Sequence, residues 1–205
     1  MIAFPSTTYV GRVLPKEAFY QRLALNNELK GKFISDVQHI TLQNSLTAAT
    51  LRLEPCEQVT EILLLVIDLK RRDYDLRIIE TIARQNPHKL VFFLRYEGKG
   101  QLAILYNKLY FLPWKPWDKL TLEARGFTLD EVWDGFLEQI ALAEEKTSLS
   151  ELPVEKRIAR MEARRKLQKE IDKAEKLARA EKQPKKRFEM YLWVLKLKQD
   201  MDGII

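Results

Sequence analysis

An α/β (α+β) fold is expected, a small mixed β-sheet with flanking helices followed by a C-terminal antiparallel helical hairpin of coiled-coil type. Three stretches of sequence predict it. VTEILLLVIDL, from Val59 to Leu69, is apolar on both faces across Ile62 to Ile67, as a central strand covered on two sides must be. A helical stretch and a second apolar run, Leu90 to Leu94, follow in the order of a βαβ unit, which is expected to be parallel. From Val154 to Lys182 the chain consists mainly of Ala, Glu, Lys, Arg and Leu, with no glycine or proline, and reads as one long helix.

The elements follow in order. Pro15 opens a short helix through KEAFYQRL, with Phe19 and Leu23 four apart on one face. Asn26 or Asn27 caps a second helix through Asp36, where Leu29, Phe33, Ile34 and Val37 recur at helical spacing. His39 to Leu42 is already extended, Thr50 to Leu53 reads as a strand, and Glu54 to Gln58 turns the chain into Val59 to Leu69. Asp73 or Asp75 caps the next helix, whose stripe is Leu76, Ile79 and Ala83 and which Asn86 and Pro87 stop. After Leu90 to Leu94, Glu97 to Gly100 makes a tight turn into Gln101 to Tyr106, an antiparallel addition that mixes the sheet. A further strand is expected at Lys119 to Glu123. Thr128 caps a helix with a wide apolar face, Leu129, Val132, Trp133, Phe136, Leu137 and Ile140, which closes a globular domain over residues 1–146. KTSLSEL is a polar link, Pro153 starts the long helix, and Gln183 and Pro184 break the chain before a second helix, Lys185 to Asp202. The hairpin thus occupies 147–205.

At 205 residues the chain is long enough for one core plus this appendage. Cys56 is the only cysteine and there are two histidines, so neither an internal disulfide nor a four-ligand zinc site is expected, and no cofactor is called for. A lone thiol suits a reducing cytoplasm. The longest apolar run, Ile62 to Ile67, is too short to span a bilayer, so no membrane association is expected. The formal charge is +6, yet Val154 to Asp202 carries sixteen Lys or Arg against nine Asp or Glu, a net of +7, leaving nineteen against twenty elsewhere. An acidic partner should therefore meet the tail.

The second hairpin helix has two apolar stripes. Phe188, Tyr191, Leu192 and Leu195 form one; Met190, Trp193, Val194, Leu197 and Met201 form the other. A single neighbouring helix covers only one, and burying side chains of this size is worth roughly 1.5–3 kcal/mol each. The stripe with Trp193 is expected to be left over and covered by its own globular domain, a second copy or a partner protein. Arg157, Arg160, Arg164, Arg165, Lys169 and Lys173 on the long helix either solvate the hairpin or meet a nucleic-acid backbone.

PKEAFY near the start, VTEILLLVIDLK, HKLVFFLRY and the terminal EKQPKKRFEMYLWVLKLKQDM together make the chain similar, over nearly its whole length, to a bacterial family catalogued as domain of unknown function 4391. The resemblance implies a small companion protein encoded beside DNA methyltransferases and helicases of restriction or phage-defence type. It carries no active site over to these residues. Asp68 stands in IDLK where the family pattern favours glutamate.

Asp68 and Lys70 share a face at the end of the central strand, as the carboxylate and lysine of a magnesium-dependent nuclease would. Such a site needs a second acid, and a turn near Pro55 to Glu57 would place Gln43, Asn44 and Ser45 opposite, none of them acidic. The mixture Tyr106, Lys108, Tyr110, Phe111, Trp114, Lys115, Trp117 and Lys119 suits base stacking or, more simply, a sheet edge packed on a helix. Cys56 and His88 are not expected to pair, and no phosphate-binding glycine loop occurs. The expectation is a non-catalytic accessory subunit of a DNA-acting complex, with a DNA methyltransferase, a helicase or a second copy docked on the hairpin. A magnesium nuclease and a sequence-independent nucleic-acid binder are the alternatives.

Overall fold

The computed structural model describes residues 2, 4–56, 58–144 and 152–203. They fall into two compact units, Met1–Ala143 and Glu144–Ile205. The polar link expected over 146–152 lies almost wholly outside the described residues.

The first unit is a mixed α+β fold around one sheet. Its strands are β1 (Tyr9–Leu14), β2 (Val37–Leu46), β3 (Ile62–Leu69), β4 (Lys89–Tyr96), β5 (Lys99–Leu105), β6 (Leu109–Phe111) and β7 (Lys115–Pro116). They lie in the order β1-β2-β3-β4-β5-β6, and β7 also pairs with β5. Only β3 and β4 are parallel; the other pairs are antiparallel. β3 is central, as its unbroken apolar run requires, with Ile62 and Leu64 to Ile67 all buried.

The helices α1 (Lys16–Arg22), α2 (Asn27–Asp36) and α4 (Leu76–Gln85) cover one face of the sheet. Phe33, Ile78, Ile79 and Ile82 meet Ile40, Leu65, Ile67, Phe92 and Leu94 there. The opposite parity of the same strands turns Leu64, Val66 and Phe93 to the other face. α5 (Leu129–Ala141) lies against β5 and β6, burying Val132, Trp133, Phe136, Leu137 and Ile140. Side-chain caps start these helices as expected: Asn26 Oδ1 accepts from Leu29 N–H, Asp75 from Arg77 N–H, and Thr128 from Glu131 N–H.

Several expectations are corrected. Thr50 to Leu53 does not form a strand, because the short helix α3 (Ala48–Leu51) takes its first two residues and Arg52, with a left-handed backbone at φ 56°, ends the helix. There the Thr47 hydroxyl accepts from Thr50 N–H while the Thr50 hydroxyl accepts from Thr47 N–H, a reciprocal cap that sheet pairing cannot match locally. Lys119 to Glu123 is not a strand either. A 3₁₀ turn occupies Trp117–Lys119, and the edge is built instead by β6 and β7. β1 was not legible, since an exposed edge strand has no buried face to impose alternation. The β4–β5 turn is tight: Tyr96 pairs with Lys99, and Glu97 and Gly98 have φ of 43° and 74°, the left-handed pair that a two-residue hairpin loop needs.

The second unit is a helix pair, α6 (Val154–Ala180) and α7 (Pro184–Asp202), packed antiparallel. Pro184 fits the first turn of α7, where a missing N–H costs nothing.

Candidate functional site

The hairpin is held by a narrow seam. Ile171 and Ala174 of α6 are buried with Val194 and Leu197 of α7, and Leu167 and Met201 pack beside them. Ala174 and Ala178, with no bulk beyond Cβ, let the larger α7 side chains come close. Lys198 Nζ reaches Glu175 Oε1 at 2.8 Å across the pair, and its hydrogen bond holds the Glu175 carboxyl below the usual range.

This packing corrects the surface expected to be left over. Val194 and Leu197 are 4% and 8% exposed, buried by α6, while Met190 and Met201 are half-buried. Of that stripe only Trp193 stays open. The other stripe, Phe188, Tyr191, Leu192 and Leu195, is turned to solvent at 44% to 64% exposure. Periodicity revealed two stripes but could not rank them, because that choice depends on which one the small residues of α6 accommodate.

Around the open stripe the helical spacing sets a basic border. Lys185 and Lys196 follow one edge, three residues before Phe188 and four after Leu192, and Arg187 follows the other, four before Tyr191, where Lys198 is already turned to Glu175 of α6. Glu189 shares the Lys185 edge, four residues on, and Asp202, seven residues after Leu195, stands at the C-terminal end of the stripe, so three border cations face two acids.

On α6, Arg164, Arg165, Lys169 and Lys173 are exposed and Arg160 is half-buried. Arg165 contacts Glu144 at 3.1 Å. Arg157 is buried, which withdraws it from any phosphate-facing row.

Asp68 and Lys70 do not converge. Arg95 Nε and Nη2 donate to the two Asp68 oxygens at 2.7 and 2.8 Å, a bidentate pair between neighbouring parallel strands. Lys70 Nζ instead donates to Ile34 O at 2.8 Å, near the end of α2. Nor do Gln43 to Ser45 face the triplet: His39 pairs with Asp68 and Asn44 with Leu64. The reason is the connection between β2 and β3, which contains α3 rather than a tight turn and so changes the register. Among the described residues no group of three or more His, Cys, Asp or Glu side chains could hold a metal ion.

Arg95 also lies 5.6 Å from the Trp117 ring centre, stacked as a cation on its face. A cavity of about 500 Å³ beside it is lined by Asn44, Leu64, Val66, Phe93, Trp117 and Asp118. Arg95 was missed in the sequence, although setting VTEILLLVIDL beside HKLVFFLRY in parallel places it against Asp68. The aromatic and basic mixture divides along the sheet edge: Tyr110 is buried on β6, whereas Trp117 is exposed. Cys56 donates its thiol to Val59 O, and His88 Nδ1 lies 3.3 Å from Glu61 Oε2, so the two do not meet.

A protein-family model described as Domain of unknown function (DUF4391) matches residues 2–201. The chain belongs to this family. No curated protein and no solved structure matches it. Among the described residues no helix is long and apolar enough to cross a membrane.

Proposed function

We propose that the protein is a non-catalytic interaction subunit that binds a partner protein through the outer face of α7. One observation carries this reading: Phe188, Tyr191, Leu192 and Leu195 lie open at the i, i+3, i+4, i+7 spacing by which an amphipathic helix enters a groove. Charge selects the occupant. If two copies met through this stripe, basic edges would face basic edges, with Lys185 of one copy near Lys196 of the other when antiparallel and Lys185 near Arg187 when parallel. An apolar groove with an acidic rim matches both the stripe and its border. The family resemblance makes a DNA methyltransferase or helicase encoded beside the gene the partner to try first.

The test is co-purification from the native host with mass spectrometry, followed by size-exclusion light scattering of the reconstituted pair. Leu192→Asp with Leu195→Asp should abolish the complex, and the protein alone should run as a monomer. A complex that survives both substitutions would sink the reading, and a dimer of the unaltered protein would replace the acidic partner with a second copy.

A second reading, sequence-independent nucleic-acid contact, is favoured by the exposed Arg164, Lys169 and Lys173, none of which has a carboxylate partner among the described residues. It requires affinity that falls steeply with added salt and that is lost on Arg164→Ala with Lys169→Ala and Lys173→Ala. Unchanged affinity in that variant would dismiss it.

A further inference from the structure

A second concavity lies at the other end of β3 from Asp68. Leu14, Phe19, Leu23, Leu42, Leu63 and Ile82 form an apolar floor for a cleft of about 480 Å³, contributed by β1, α1, β2, β3 and α4. Ala24 N–H donates to Gln85 Oε1 at 2.8 Å, tying the chain after α1 to the end of α4 and closing one side. The size and the mainly apolar wall are those of a small-molecule site, in which a few polar groups fix orientation.

The polar lining holds two arginines and one carboxylate, Glu61, which is engaged by His88 and Ser45. Arg12 and Arg22 both line the cleft and both are exposed. Elsewhere in this unit Arg71, Arg77, Arg84, Arg95 and Arg125 each have a carboxylate nearby, while Arg52 and Arg72, which do not line the cleft, have none among the described residues. Among the described residues Arg12 and Arg22 have none. His88 is fixed from behind, because its Nδ1 faces Glu61 Oε2 at 3.3 Å while Ser45 Oγ donates to Glu61 Oε1. That leaves Nε2 as the ring atom available to a ligand.

We propose that this cleft binds a small organic acid, its anionic group held by Arg12 and Arg22 and its apolar body laid on the floor between α1 and α4. A guanidinium presents a planar fork matched to a carboxylate or phosphate, and two unpaired forks over an apolar wall select an amphipathic anion over a neutral molecule or a bare ion. The site is separate from the outer face of α7 and does not depend on a protein partner.

Calorimetric titration of the full chain with octanoate, octyl phosphate and octanol tests it. Both anions should bind, octanol should bind at least about tenfold more weakly, and Arg12→Gln with Arg22→Gln should weaken both anions by at least about tenfold. Methyl NMR of the unaltered protein should show shifts at Leu23, Leu42, Leu63 and Ile82, which keeps the test decisive if the double variant folds poorly. The proposal is overturned if neither anion binds, if the double variant binds equally well, or if the shifts fall on Leu192 and Leu195. It is equally overturned if inorganic phosphate binds as tightly as octyl phosphate. Leu192→Asp should leave octanoate binding unchanged, so failure of the interaction reading and failure of this one are distinguishable.

Discussion

Asp68 and Arg95 illustrate how a candidate catalytic residue becomes a structural one. In the sequence Asp68 has only Lys70 as a basic neighbour on its own strand face, and the pairing that decides its role comes from the strand alongside. Both side chains are partly shielded, so losing one leaves the other's hydrogen-bonding groups without their match. Arg95→Leu should destabilise the first unit by about 1–2 kcal/mol in urea denaturation, and a cycle with Asp68→Asn should show the two losses to be less than additive. Additive losses would mean that the pair contributes nothing. Tyr74 supplies a second test at this scale. Burial pushes its hydroxyl well above the ordinary tyrosine range, and burial shifts Tyr20 the same way. A pKa raised by folding gives stability that is complete below the unfolded value of 10.0 and is lost as pH rises beyond it. Lys16 works in the opposite sense. Burial first, and then the charge of Lys70, lower its pKa, so its deprotonation favours the folded state as pH approaches 10.5. The urea midpoint should therefore fall on the alkaline side of pH 10 and fall less in Tyr74→Phe; identical slopes for the two proteins would refute the assignment.

At the scale of elements, α7 is informative because both of its long faces are apolar and only one is used. Val194→Asp or Leu197→Asp places a charge in the seam and should cost about 2–4 kcal/mol, enough to separate the helices and reduce helical circular dichroism. Leu192→Asp with Leu195→Asp should leave that signal intact. If both sets of substitutions behaved alike, the assignment of inner and outer faces would be wrong. The same scale shows why some elements were legible and others were not. β3, α4 and α5 have a buried stripe and a cap within their own residues, so pattern alone locates them. α3 and β1 lack that signal: one depends on two threonines bonding each other's backbone, the other on an edge exposed to solvent.

For the whole molecule, the two compact units differ in how much apolar surface each one buries. The sheet unit encloses Phe33, Phe92 and Phe136 among its fully buried side chains, whereas the seam between α6 and α7 rests on few. Thermal unfolding should accordingly proceed in two steps, the hairpin melting first, and Leu197→Asp should lower the first without moving the second. A single transition that shifts as one would contradict this. The sequence by itself determined the mixed sheet, its central strand, the capped helices, the basic hairpin and the presence of two apolar stripes on α7, because periodicity, caps and charge are properties of neighbouring residues. Only the tertiary structure decided that Arg95 claims Asp68, that α3 resets the register between β2 and β3, that Arg12 and Arg22 share one cleft, and which stripe of α7 remains open. Each of those depends on residues far apart in the chain being brought together, and local pattern has no access to that distance.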